Sequence, residues 1–192
     1  LSRDHLDYHS SMEAYCEAKL RLFRDFAPPV RIFNADDALL TSHRNVWGKA
    51  GLGISCEGAL ADIQVLVKGA APLALQLKTP WGATHIQSAL AGRFNAFNLS
   101  AAVTLLAAMG LPFDAVISAA EQVDPVRGRL QKVEFESDIA VFIDYAHTPD
   151  ALNRALCALS DFGVKGHIGV VFGCGGDRDR GKRAEMGATA AA

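Results

Sequence analysis

The chain has 192 residues, half of them hydrophobic, and a net charge of −2 from 19 basic and 21 acidic side chains. This composition is enough to bury a core, and the length allows one domain or parts of two. No basic stripe indicates a nucleic-acid partner, and no apolar run is long enough to cross a membrane. We therefore expect a globular protein with neither a nucleic-acid nor a membrane partner.

Four cysteines are widely spaced and form no C-x-x-C pair. This spacing predicts neither a zinc site nor a disulfide framework. Reduced thiols in a cytosolic enzyme are the simplest interpretation, so we expect a cytoplasmic protein. Leu1 is not a start methionine and no helix cap follows the last residues, so we expect an internal fragment cut at both ends.

The first part of the chain predicts a helix and then a series of strands. Ser10 and Glu13 have capping-box spacing and begin a helix that runs to about Phe26, where two prolines stop it. A strand over 30–33 and a short helix after the turn at 34–37 follow. Between Gly51 and Gly92, short apolar runs between glycine, proline and aspartate turns predict an antiparallel meander.

The rest of the chain predicts two helices, a break and a second domain. The helices cover 95–109 and about 112–122, and the break at 124–128 divides the chain into domains 1–125 and 126–192. Beyond it come a strand (140–143), a helix (149–160), a strand (167–172), a glycine-rich loop and a helix. This β-α-β-α order is typical of a parallel sheet, so the fold class is α/β.

One lysine and one polar segment near the start of the chain are candidate chemical groups. Lys19 falls in the middle of the apolar arc of the first helix, so it is either a snorkelling lysine or a buried, reactive one. Just upstream, two histidines and two aspartates within 4–9 are either divalent-metal ligands or a solvated loop. Spacing alone favours the solvated loop.

Two segments follow predicted strands of the second domain. Asp144 and His147 lie between a strand and a helix, where parallel sheets bind ligands, although an ordinary strand exit looks similar. Residues 173–183 carry glycines and basic side chains and imitate a phosphate-binding loop. Arg183, however, occupies the position of the Ser or Thr that ligates magnesium, so we reject a nucleotide loop and predict binding of another anionic group.

Five motifs together resemble the Mur ligase family, and within it the MurE-type members that add the third residue of the peptidoglycan stem peptide. They occur in family order over essentially the whole chain. The motifs are His5-Leu6-Asp7-Tyr8-His9, Tyr15-x3-Lys19, Gly92-Arg93-Phe94-Asn95-Ala96-Phe97-Asn98, Asp144-Tyr145-Ala146-His147-Thr148-Pro149 and Phe172-Gly173-Cys174-Gly175-Gly176-Asp177-Arg178-Asp179.

The resemblance implies the rear of a central ATPase domain followed by the start of a Rossmann-like domain. It also implies an ATP- and Mg²⁺-dependent ligase that phosphorylates a peptide carboxylate and releases ADP when an amine attacks the acyl phosphate. The substrates would be UDP-N-acetylmuramoyl-L-alanyl-D-glutamate and meso-diaminopimelate or L-lysine. The family's phosphate loop would lie upstream of His5, so this fragment alone should be inactive. A sibling ligase, folylpolyglutamate synthetase or a non-catalytic nucleotide-binding module remain alternatives.

The resemblance also implies roles for single residues. His5 matches a magnesium ligand, and Lys19 matches a lysine that is carbamylated and helps to hold a second magnesium. Arg178 matches the arginine that binds the incoming amino acid. Five further residues match positions around ATP, with Asn98 the better candidate for contact with adenine: Asn95, Asn98, Arg129, Asp144 and His147.

Overall fold

The computed structural model of the chain describes residues 8–133, 136, 139–162, 166–175 and 181–192. The first part contains α1 (Met12–Asp25), β1 (Arg31–Asn34), α2 (Ala38–Ser42), α3 (Arg44–Trp47), β2 (Gly51–Ser55), β3 (Ile63–Ala70), β4 (Leu73–Thr79), β5 (Gly82–Ser88), α4 (Arg93–Ala108) and α5 (Phe113–Glu121). The second contains β6 (Gln131–Val133), β7 (Val141–Ile143), α6 (Pro149–Asp161) and α7 (Lys182–Ala191).

One mixed sheet organises the first part, in the order β1-β2-β3-β4-β5. β2 pairs in parallel with both β1 and β3, whereas β3, β4 and β5 pair antiparallel. The predicted meander is therefore confirmed for β3–β5 and wrong for β2. Alternating apolar residues indicate which face of a strand is buried, but they do not specify the direction of its neighbour.

α4 and α5 cover one face of this sheet and enclose the main core. α4 is apolar around most of its circumference, as expected of a helix buried between a sheet and a second helix. Just before it, the Gly92 N–H donates to the Ala70 carbonyl at 2.8 Å, and the Leu73 N–H donates to the Leu90 carbonyl at 2.9 Å. These bonds fix the start of α4 against the β3–β4 turn. The buried core residues are Ile54, Ile63, Val65, Leu73, Leu75, Leu77, Ile86, Leu90, Ala96, Leu99, Val103, Val116 and Ala120.

α1 packs outside this sheet, on a smaller core. Its N-cap is Ser11, whose hydroxyl accepts from the Ala14 N–H at 3.2 Å, so the prediction of Ser10 as the cap is wrong by one residue. Capping-box spacing selects the first of two adjacent serines, whereas the second one, Ser11, has the extended backbone of a cap and makes the capping hydrogen bond. The buried residues of this core are Cys16, Leu20, Val46 and Trp47.

The second part is built on a two-stranded sheet and two helices. β6 and β7 pair antiparallel, and α6 begins as predicted, with Thr148 as N-cap and Pro149 as the first helical residue. A third core, which we call the junction core, joins this part to the start of α4. Its members are Leu130, Ala155 and Ala158, with Ala91, Phe94, Phe142, Ala146, Leu159 and Phe162 packed against them.

The predicted strand over 167–172 does not form, and these residues have irregular backbone outside any ladder. An apolar run becomes a strand only when a neighbour supplies hydrogen bonds, and β7 pairs with β6. Val171 is fully exposed and Phe172 is 39% exposed, so the run is not covered either. Within the described residues, the parallel pairing predicted for the second domain is absent.

No helix in the described ranges combines the length and the apolar character needed to cross a membrane.

Candidate functional site

Lys19 is exposed, although it falls in the apolar arc of α1. The buried side chains of this helix are Tyr15, Cys16 and Leu20. A helical wheel shows which residues share an arc, but it does not show which of them are covered by the rest of the protein. The ammonium is nevertheless ordered by an aromatic neighbour, since Nζ lies 5.4 Å from the centre of the Tyr15 ring.

Lys19 also faces the end of the polar segment 4–9, in which the family resemblance implies His5 as a magnesium ligand. It lines a shallow pocket of about 290 Å³ with His9, Tyr15, Tyr8 and Ala18. The His9 ring lies 5.1 Å from the Tyr15 ring, centre to centre. The structure thus brings Lys19 to the end of the His5–His9 motif, while His5 itself lies outside the described residues.

An ionic cluster holds the other side of α1. Glu17 accepts a hydrogen bond from Arg24, and the His43 Nε2 lies 3.3 Å from its carboxylate. The hydrogen bond from the guanidinium lowers the pKa of Glu17 from its ordinary value. This cluster connects α1 to the end of α2.

Three of the five predicted nucleotide residues meet in a pocket of about 560 Å³ between α4 and the segment before β6. Asn95 and Asn98 enter it from the first turns of α4, and Arg129 enters from the opposite wall. Its other walls are apolar, namely Leu90, Phe94, Leu99, Ala102, Val123 and Val126. An apolar cleft with a few polar groups is the usual form of a small-molecule site.

The two asparagines are connected to each other. The Asn95 Nδ2 donates to the Ala91 carbonyl at 2.7 Å, and its Oδ1 accepts from the Asn98 Nδ2 at 3.2 Å. Asn95 therefore orients Asn98, whose exposed amide retains the oxygen and one N–H for a ligand. This arrangement agrees with the expectation that Asn98 is the better candidate for direct contact.

Asp144 and His147 line a neighbouring pocket of about 460 Å³. The Asp144 Oδ2 accepts from the Leu130 N–H at 2.7 Å, and the His147 Nδ1 lies 3.0 Å from the Tyr145 carbonyl. The two pockets meet where the Arg129 guanidinium lies 5.4 Å from the centre of the Tyr145 ring. All five predicted ATP residues thus line two adjoining pockets, three of them in the first and two in the second.

The glycine-rich loop is described only as far as Gly175 and again from Gly181, where α7 follows. Arg178 lies outside the described residues. In the part that is described, the Cys174 sulfur lies 3.4 Å from the sulfur of fully buried Met186, which fixes the start of the loop against α7.

A third cavity, of about 330 Å³, lies between α4, α6 and the carboxyl ends of β1 and β2. Phe94 separates it from the pocket that holds Asn95. Asp36 closes one end by accepting from the Ser55 hydroxyl and the Cys56 N–H, at 2.6 and 2.7 Å. Burial, together with the carboxylates of Asp36 and Glu57, raises the pKa of the Cys56 thiol to about 11.

Sequence reasoning assigned no role to Phe94, Leu130 or Tyr145. Phe94 lines the pocket that holds Asn95, and the other two line the neighbouring pocket that holds Asp144. Phe94 and Tyr145 stand inside the quoted motifs, and an aromatic residue next to a polar ligand residue was the available signal. Leu130 gave none, since its importance depends on its backbone. Its φ is +48°, a left-handed value that is uncommon outside glycine.

The comparison with protein families decides the classification. The Mur ligase middle domain matches residues 1–106, and the Mur ligase glutamate ligase domain matches residues 128–192. The chain belongs to the Mur ligase family. The predicted fold class is confirmed, while the domain boundary at 125/126 stays a prediction between these two ranges.

Individual Mur ligases give the same result. A UDP-N-acetylmuramoyl-L-alanyl-D-glutamate--2,6-diaminopimelate ligase from Coxiella burnetii is 41% identical over 99% of this chain and 40% of its own length. A solved structure of a ligase of that name is 35% identical, with a TM-score of 0.66 over 100% of this chain and 40% of its own. The chain therefore spans about 40% of the length of these relatives.

A more distant Mur ligase shows the shared fold. The MurF ligase from Thermotoga maritima, solved in complex with ADP, is 16% identical with a TM-score of 0.63, over 82% of this chain and 36% of its own.

Proposed function

We propose that this chain forms the nucleotide-binding and amino-acid-binding part of an ATP-dependent, ADP-forming ligase of peptidoglycan synthesis. The reaction joins 2,6-diaminopimelate to UDP-N-acetylmuramoyl-L-alanyl-D-glutamate through an acyl phosphate. The observation that carries this proposal is the convergence of Asn95, Asn98 and Arg129 on one pocket in a Mur ligase chain.

The pocket suits ATP in chemistry as well as in size. The Asn98 amide both donates and accepts, as the edge of adenine requires, and the apolar walls accommodate the faces of the base. Arg129 is a planar, permanently charged group that suits the phosphates. Asp144 lines the adjoining pocket, and we assign it to the ribose. We assign these residues to ATP, with His147 at the outer edge.

Magnesium would be held beside α1, at the pocket that Lys19 lines. Carboxylate-type oxygens are the ligands that Mg²⁺ prefers, and a carbamate on Lys19 would supply two of them. The exposed position of Lys19 fits this role, because CO₂ from solvent reaches its amine. No group of three or more His, Cys, Asp or Glu side chains within the described ranges suits a metal, so His5 and the phosphates would complete the ligand set. Magnesium would offset phosphate charge during transfer.

The amino acid would bind at the glycine-rich loop. Arg178 is assigned to its carboxylate, because a guanidinium and a carboxylate form paired hydrogen bonds. Diaminopimelate is favoured over lysine by the names of the relatives that are about 40% identical over nearly the whole chain.

The test is phosphate release by the full-length ligase that contains this chain. We expect release that requires ATP, the UDP-linked dipeptide and diaminopimelate together. Asn98→Ala should raise the KM for ATP at least about tenfold, since it removes the amide that we assign to the hydrogen-bonding edge of adenine. Gln122→Ala, an exposed change outside the pocket, should leave it unchanged. Nucleotide binding without turnover would instead indicate a non-catalytic module.

A further inference from the structure

The turn that carries Arg129 into the nucleotide pocket has a strained backbone. Leu130, the next residue, has φ +48°, a left-handed conformation that is unfavourable for a residue with a Cβ. The turn is closed by the Arg129 N–H, which donates to the Val126 carbonyl at 3.1 Å, and by the Gly128 N–H, which donates to the Gln131 Oε1 at 2.9 Å. Such strain persists only where surrounding contacts stabilise it.

Asp144 provides the strongest of these contacts. Its Oδ2 accepts the Leu130 N–H at 2.7 Å, a short bond to a charged acceptor. The Leu130 side chain is 5% exposed and packs in the junction core beside Phe94. The backbone at 130 is therefore held from both sides, by a carboxylate on its N–H and by a core around its side chain.

Tyr145 contacts the same turn through the Arg129 side chain. Its ring faces the Arg129 guanidinium at 5.4 Å, a cation–π contact that restricts the long side chain. Asp144 and Tyr145 are adjacent in sequence, as are Arg129 and Leu130. The two pairs face each other. Asp144 binds the backbone N–H of Leu130, and Tyr145 contacts the side chain of Arg129.

We infer that Asp144 and Tyr145 are positioning residues, which set the Arg129 guanidinium opposite Asn95 and Asn98 through the Leu130 N–H and the Tyr145 ring. This inference rests on the proposed binding of ATP. It assigns to the Asp144 carboxylate an action that is independent of the ribose hydroxyls. Loss of either contact releases Arg129 from the pocket wall without removing any group that faces the base.

The main experiment is a double-mutant cycle in the full-length ligase with 2′,3′-dideoxy-ATP, which has no ribose hydroxyl to contact Asp144. Arg129→Ala and Asp144→Ala should each weaken binding, measured by calorimetry, by about tenfold, the value of one charge-assisted bond. The double variant should bind no worse than Arg129→Ala. Multiplied losses, or no effect of Asp144→Ala on this nucleotide, would overturn the inference.

Conservative variants separate positioning from charge. Asp144→Asn keeps an oxygen for the Leu130 N–H and should bind 2′,3′-dideoxy-ATP more tightly than Asp144→Ala does, whereas equal losses in the two variants would contradict the positioning role. Tyr145→Phe keeps the ring and should bind normally, whereas Tyr145→Leu should not. These variants also decide the question if Asp144→Ala does not fold.

A readout without nucleotide distinguishes failure of this inference from failure of the proposed function. Amide hydrogen exchange at 129–131 should be faster in Asp144→Ala than in Asp144→Asn. Equal exchange rates would refute the Asp144–Leu130 contact. Absence of nucleotide binding by the wild type, with the exchange difference present, would refute the proposed function alone.

Discussion

Among single residues, the cysteines differ from one another in burial and therefore in expected reactivity. Cys157 is exposed on α6, whereas Cys16 is buried and Cys56 is half-buried. Burial raises the pKa of both Cys16 and Cys56, in the latter to about 11. Because the thiolate is the reactive form, exposure and pKa together predict which thiols react.

We expect iodoacetamide at pH 8 to modify Cys157 well before Cys56 and Cys16. At that pH only about one Cys56 thiol in a thousand is ionised, since three pH units separate pH 8 from its pKa. Peptide mapping by mass spectrometry after timed labelling measures the order, and labelling in urea is the control. Cys56 should react faster as the pH rises toward 11. Early labelling of Cys56 in native protein at pH 8 would contradict its raised pKa.

Single residues also differ in how far their roles could be predicted from the sequence. Asn95, Asn98 and Arg129 were matched to one ligand from a resemblance, and the structure places them in one pocket. The residue pattern leaves a snorkelling or a buried Lys19 open, and the structure shows it exposed, while its role as a carbamylated magnesium ligand stays a prediction. The role of Leu130 depends on a φ angle and on a partner 14 positions away, neither of which a residue pattern contains.

Among the secondary-structure elements, α4 buries two hydroxyls that destabilise the fold. The hydroxyls of Ser100 and Thr104 are fully buried, and neither has a hydrogen-bond partner among the described residues. A buried hydroxyl that has left water without a new partner costs about 1–3 kcal/mol.

Thr104→Val should therefore stabilise the protein, by about 1 kcal/mol, because valine keeps the shape and removes the hydroxyl. The urea concentration at the midpoint of unfolding should rise. Thr104→Ala is the matched control, since it also removes the hydroxyl but leaves a cavity where the methyl was. A lower midpoint for Thr104→Val than for the wild type would show that the hydroxyl has a partner in solution.

The start of α4 requires glycine for two separate reasons. Gly92 has φ +88°, and a Cβ added there would lie 2.6 Å from the Phe94 ring. Gly110, at the other end of the helix, has φ +91° with open space around the Cβ position. The pair separates the cost of conformation from the cost of overlap.

Gly92→Ala should destabilise the protein by at least about 1 kcal/mol more than Gly110→Ala, because only the first adds steric overlap to backbone strain. Chemical denaturation of the two variants measures this difference directly. Equal losses would mean that the Phe94 ring moves aside at no cost.

Helix positions were predicted closely, because caps, prolines and apolar periodicity act locally. Strand pairing was not, since partner and direction depend on distant segments. The apolar residues 167–172 show this most clearly, because their pattern fits a strand and the described structure gives them no neighbouring strand.

At the scale of the whole molecule, the two parts are unequal. Among the described residues, thirteen buried side chains form the core of the first part with α4 and α5, whereas the junction core has three. Local stability follows the amount of buried apolar contact, so the second part should open more readily than the first.

Native-state hydrogen exchange followed by mass spectrometry should show slower exchange in β3, β4 and β5 than in β6, β7 and α6. Ala158→Asp, which places a charge in the junction core, should accelerate exchange in α6 and leave β4 nearly unchanged. Equal protection of both parts in the wild type would show a single cooperative unit instead.

The close approach at Gly92 also has an evolutionary consequence. Its Cβ position lies 3.3 Å from the Cβ of Ala158, which belongs to the second of the two matched domains. Because the φ of Gly92 keeps that position glycine, room for a larger residue at 158 depends on the Phe94 ring, which packs in the same junction core. Positions 94 and 158 should therefore substitute together among orthologues, and this co-variation should be stronger than that between either of them and the exposed residues of α6.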